Sequence, residues 1–105
     1  MVVDSSNLPL TIDRDRLTAF CRQYHVRELA LFGSVLRDDF GPDSDVDVLV
    51  ELDPAHGLDL YDWIDMIEEL QTIFGRSVDL VSKHAIRNPY RRRAILNSYE
   101  VIHAE

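Results

Sequence analysis

The sequence predicts a single small α/β domain, a mixed sheet backed by helices. Its 105 residues are the length of one domain, and 46% of them are hydrophobic, enough to form a packed core. Apolar side chains also switch repeatedly between helical spacing and short strand-like runs. The resulting order is α-β-α-β-α-β-α with a candidate final edge strand, without repeats, low-complexity segments or a linker.

Met1 to Asn7 are polar or small and read as a loose, flexible N-terminal arm, leaving 8–105 for the domain. Leu17, Phe20, Cys21 and Tyr24 recur at i, i+3, i+4 and i+7, one stripe of a helix that Asp13 can cap. Val26 to Phe32 has the length and composition of a buried strand. Gly33-Ser34 breaks it, Val35 to Asp38 has room only for a helical turn, and Gly41 to Ser44 reads as a loop. Asp45 to Glu51 alternates acid with valine before running apolar, so this strand should leave the core at its aspartate end.

The longest helix is expected from about Asp59 to Phe74, with Leu60, Trp63, Ile64, Ile67, Leu70 and Phe74 on its buried face. Gly75 fits its C-cap, and Asp59, Asp62 and Asp65 suit the positive end of its dipole. Val78 to Val81 is a short strand with Asp79 inside it. Asn88-Pro89 opens the last helix as cap and first residue, and Val101-Ile102 is the candidate edge strand.

Composition narrows the function. The net charge of −8 argues against direct nucleic-acid binding, which needs a basic face. The single cysteine, Cys21, excludes an internal disulfide or a cysteine-cluster zinc site. No apolar run approaches the ~18 residues of a membrane helix, and the start does not read as a signal peptide. A cytoplasmic protein without a membrane partner is expected.

The chemistry concentrates in Gly33-Ser34, followed after ten residues by Asp45-Val46-Asp47. A Gly-Ser pair between a strand and a helical turn offers backbone N–H groups and a hydroxyl to a phosphate. Aspartates two apart on a strand share a face, where their mutual repulsion favours a hard divalent cation such as Mg²⁺. Asp79 would supply a third carboxylate if its strand lies beside the Asp45 strand. These groups together suggest metal-assisted phosphoryl or nucleotidyl transfer. The four histidines lack ligand spacing, and Arg91-Arg92-Arg93 reads as a solvated helix face.

Gly33-Ser34-Val35-Leu36-Arg37 followed by Asp43-Ser44-Asp45-Val46-Asp47-Val48-Leu49-Val50 resembles the signature of the minimal nucleotidyltransferases. These are the smallest members of the DNA polymerase beta-like superfamily. The resemblance implies a polymerase beta palm-like nucleotidyltransferase fold. It also implies an antitoxin that transfers AMP from ATP to a tyrosine of a partner HEPN-domain ribonuclease toxin. Gly33, Ser34, Arg37 and Ser44 would bind the nucleotide, and Asp45, Asp47 and Asp79 would be the catalytic carboxylates holding two Mg²⁺ ions. Leu36 and Asp38 depart from the family pattern around the arginine, Asp38 adding negative charge near the triphosphate. Two alternatives stand beside this reading: an antitoxin that neutralises its toxin by binding alone, and a nucleotidyltransferase of small molecules.

Overall fold

In the computed structural model, which describes residues 12–36, 41 and 43–104, capping chemistry sets the helix ends. The Asp13 carboxylate accepts from the Arg16 N–H and opens α1 (Arg14–Gln23). Asp59 and Asp62 form a reciprocal capping box at the start of α2 (Leu60–Phe74), and Gly75 ends that helix at φ +68°. The Asn88 side chain accepts from the N–H groups of Tyr90 and Arg91 at α3 (Pro89–Asn97). Met1 to Asn7, the expected arm, lies outside the described residues.

Among the described residues four strands form one sheet: β1 (Val26–Phe32), β2 (Val46–Leu52), β3 (Val78–Ser82) and β4 (Tyr99–Ala104), in the order β3-β2-β1-β4. β1 is antiparallel to both β2 and β4, whereas β2 and β3 are parallel. A parallel pair needs a crossover, and α2 supplies it. The candidate edge strand is real and longer than expected, because all of Tyr99–Ala104 extends along β1. Short 3₁₀ turns, Gly33–Leu36 and Lys83–Ala85, follow β1 and β3.

The sheet buries both faces by strand alternation. Leu29 and Leu31 of β1 and Val46, Val48 and Val50 of β2 meet α1 and α2 on one side. Ala30, Phe32 and Leu49 point the other way and pack with Ile86 and with Ile95 of α3. This is the mixed sheet backed by helices that the sequence predicts.

One expectation is corrected. The core face of α2 is Met66, Leu70, Ile73 and Phe74, whereas Leu60 and Ile64 are 71% and 46% exposed and Trp63 and Ile67 are only partly buried. Apolar residues occur around too much of this helix for all to face one sheet. With Leu70 inward, Ile64 lies about 120° away around the axis, while Met66 and Ile73 fall within about 60° of Leu70 on one side and Phe74 within about 40° on the other.

Tyr24, which closes α1, is buried with its ring centroid 5.1 Å from that of Phe20. Burial raises its pKa above the ordinary tyrosine value. The charges of Glu69, Asp65 and Asp62 and a hydrogen bond to Glu69 add to that rise.

Candidate active site

One row of paired residues crosses all four strands: Tyr99 of β4, Phe32 of β1, Asp47 of β2 and Asp79 of β3. Residues paired in register present their side chains on the same face, so Asp47 and Asp79 stand side by side on strands about 4.8 Å apart. The face is the one that α3 covers. The next row inward is wholly apolar, Val101, Ala30, Leu49 and Val81. An acidic pair therefore sits at the open end of a strip that is dry immediately behind it.

Phe32 ends β1, and Gly33 turns the chain at φ +75°, a left-handed conformation that costs little only without a Cβ. Position also demands glycine: a Cβ built there would overlap the Asp47 carboxylate. The backbone turn and the carboxylate are thus in direct apposition. Ser34 follows on the same turn, and its hydroxyl donates a long 3.5 Å bond to the Asp45 carbonyl, tying the turn to the start of β2.

Asp45 itself is exposed just before β2, two residues from half-buried Asp47, and Asp79 is exposed on β3. The loop ahead of Asp45 is fixed from outside. Ser44 returns its N–H to the Gly41 carbonyl at 3.1 Å, and its hydroxyl accepts from the Gly41 N–H at 3.0 Å. Arg76, between α2 and β3, donates to the carbonyls of Gly41 at 2.6 Å and Ser44 at 3.3 Å. Sequence reasoning gave Arg76 no role; its one visible signal is a cation beside the helix-ending Gly75. The Ser44 hydroxyl braces the loop and keeps its own hydrogen for donation.

The structure therefore gathers Gly33, Ser34, Ser44, Asp45 and Asp47 around one sheet end and sets Asp79 beside Asp47. Arg37 lies outside the described residues. Lys83 turns elsewhere: its ammonium lies 3.4 Å from a Glu28 carboxylate oxygen and 5.8 Å from the centre of the Tyr99 ring. Arg92 donates to the Lys83 carbonyl at 2.8 Å.

Among the described residues no group of three or more carboxylate, imidazole or thiolate side chains forms a ready-made metal cage. Mg²⁺ seldom uses one. It takes one or two carboxylates and fills the remaining positions with water and substrate phosphates. Paired aspartates beside an anion-accepting turn have the donor chemistry for that arrangement, and nothing in their hard oxygen set suits a soft metal.

Comparisons with known proteins identify the family and the fold. The family model described as nucleotidyltransferase domain matches residues 14–102. A Methanocaldococcus jannaschii protein, named a candidate protein adenylyltransferase, is 38% identical over 73 residues, 70% of this chain and 73% of its own length. A toxin–antitoxin structure with AMP-PNP superposes with a TM-score of 0.69 at 18% identity, covering 90% of this chain and 75% of that one. A complex of a tri-AMPylated Shewanella oneidensis HEPN toxin with its MNT antitoxin gives 0.61 at 17% identity over 88% of this chain and 70% of that one. These two likenesses concern the fold. The family match spans both sides of the acidic row and the turn beside it, and the chain belongs to the nucleotidyltransferase domain family.

Proposed function

We propose that this chain is a protein adenylyltransferase that transfers AMP from ATP to a tyrosine hydroxyl of a HEPN-type ribonuclease toxin. It thereby acts as that toxin's antitoxin in the cytoplasm, with residues 8–105 as the catalytic domain. The observation that carries the reading is the in-register pair Asp47 and Asp79 beside a glycine that no other residue can replace without displacing Asp47. The names of its relatives support the same activity: a protein adenylyltransferase in Thermococcus cleftensis is 36% identical over 66 residues. The HEPN toxin in the Shewanella oneidensis complex carries AMP.

Gly33 brings backbone close to the nucleotide phosphates, and the Ser34 hydroxyl turns from its long bond to the Asp45 carbonyl to donate to them. Arg37 and Ser44 complete the nucleotide contacts. Asp45, Asp47 and Asp79 would hold two Mg²⁺ ions, which when bound neutralise phosphate charge and lower the pKa of the acceptor hydroxyl. The acceptor oxygen forms a bond to the α-phosphorus, and the bond from that phosphorus to pyrophosphate breaks. Asp79, the exposed member of the pair, faces the incoming hydroxyl and takes its proton. The apolar row behind the aspartates keeps water from the inner side of the site, strengthening the electrostatics there.

Intact-mass analysis of the toxin co-expressed with this chain tests the reading. AMP additions are expected with wild type and none with Asp47→Asn. Equal labelling by the two, or no labelling by wild type, refutes it. Neutralisation by binding alone is the second reading, favoured by the exposed Leu60, Tyr61 and Ile64 of α2. It gains if the Asp45→Asn, Asp47→Asn double variant still protects cells at native expression.

A further inference from the structure

A cavity of about 330 Å³ opens beside the acidic row, within the size range of small-ligand pockets. One wall is Phe32, Gly33 and Leu36, the end of β1 and the turn that follows it. The other is a single face of α3, with Arg91, Ala94 and Ile95 at i, i+3 and i+4, and Ser98 just past the helix end. Ala94 is the small residue in the middle of that face, and its missing bulk leaves the space open. The lining is mostly apolar, and Arg91 stands exposed at its edge with a planar guanidinium that donates and never accepts.

We propose that this cavity holds the nucleobase of the nucleotide, and that Arg91 is a base-binding residue lying against the plane of the base. The assignment rests on the nucleotide reading of the site. Gly33 belongs both to the cavity and to the phosphate-facing turn. A ligand that fills the two together must be anionic at one end and flat and apolar at the other, as a nucleoside triphosphate is. A guanidinium stacks on such a ring, and apolar walls reward its burial. The arginine run is thus divided by helix geometry: Arg91 borders the cavity, whereas Arg92 holds the Lys83 carbonyl.

Calorimetric titration of the full chain in Mg²⁺ with AMP-PNP, and separately with inorganic tripolyphosphate, tests the proposal. Ala94→Leu fills the cavity from an exposed helix position, so thermal unfolding should match wild type. Arg91→Lys keeps the charge and removes the stacking plane. Each variant should weaken AMP-PNP binding about tenfold or more and leave tripolyphosphate binding unchanged. AMP-PNP affinity unaltered by both variants overturns the assignment. Equal loss for both ligands overturns it too, because the substitutions then act on the phosphate turn. Retained AMP-PNP affinity with lost protein labelling would give the cavity to the acceptor side chain instead. Because binding is measured without a partner protein, failure of AMP transfer to a toxin leaves this result readable by itself.

Discussion

Replacing Gly33 by alanine should damage the site far more than the fold. Two effects add at this position. The left-handed φ of +75° costs an alanine roughly 1–2 kcal/mol. The new methyl also overlaps the Asp47 carboxylate, so turn and carboxylate must separate by on the order of 1 Å, a misplacement that can cost about 100-fold in rate. Gly75 separates the two effects, because it has φ +68° and nothing within 4 Å of a built Cβ. Gly75→Ala should therefore lose the conformational part alone, lowering the melting temperature by about 4–15 °C while AMP transfer stays near wild type. Gly33→Ala should melt at least as early and lose about 100-fold in transfer. Circular dichroism melts and a labelled-ATP transfer assay on both variants decide. If Gly33→Ala transfers AMP as fast as Gly75→Ala, the apposition of Gly33 and Asp47 has no catalytic meaning.

Met66→Ala, in the core face of α2, should cost about 2–5 kcal/mol in chemical denaturation, whereas Ile64→Ala should cost under about 1 kcal/mol; reversed costs would mean that the helix is rotated. Tyr24 binds its proton more tightly when folded, so its contribution is complete below the unfolded tyrosine pKa and disappears as pH rises through the higher folded value. Melting temperature should accordingly fall less steeply above about pH 10 in Tyr24→Phe than in wild type, and parallel curves would remove Tyr24 as the cause. Asp79→Asn should reduce AMP transfer at least about 100-fold with an unchanged melting temperature, because the residue is exposed and paired with Asp47 only by register. Chelation of divalent cations should stop transfer and added Mg²⁺ restore it; transfer that survives chelation contradicts the carboxylate assignment.

Much of this architecture is legible in the sequence because its local signals agree with one another. Asp13, Asp59 and Asn88 cap the helices they precede, and the valine–aspartate alternation of β2 states which side chains face the helices. The pairing of Asp47 with Asp79 was conditional on strand order, which no local pattern encodes. The buried face of α2 is hidden from the sequence for a related reason: apolar residues nearly surround the helix, and only the sheet it meets selects among them. Arg76 and the cavity under α3 were invisible because each joins segments far apart in the chain, Gly41 with Arg76 and Phe32 with Ala94.

The alternation in β2 has a bearing on how the chain finds its fold. Sliding β2 by one residue against its neighbours would exchange its two sides, driving Asp47 under α2 and turning Val46, Val48 and Val50 toward the mouth of the site. Burying a lone carboxylate among Met66, Leu70 and Phe74 is so unfavourable that misaligned chains cannot settle. The group that would handle the nucleotide thus also acts as an alignment mark during assembly, and neutralising it should loosen strand pairing as well as silence the chemistry.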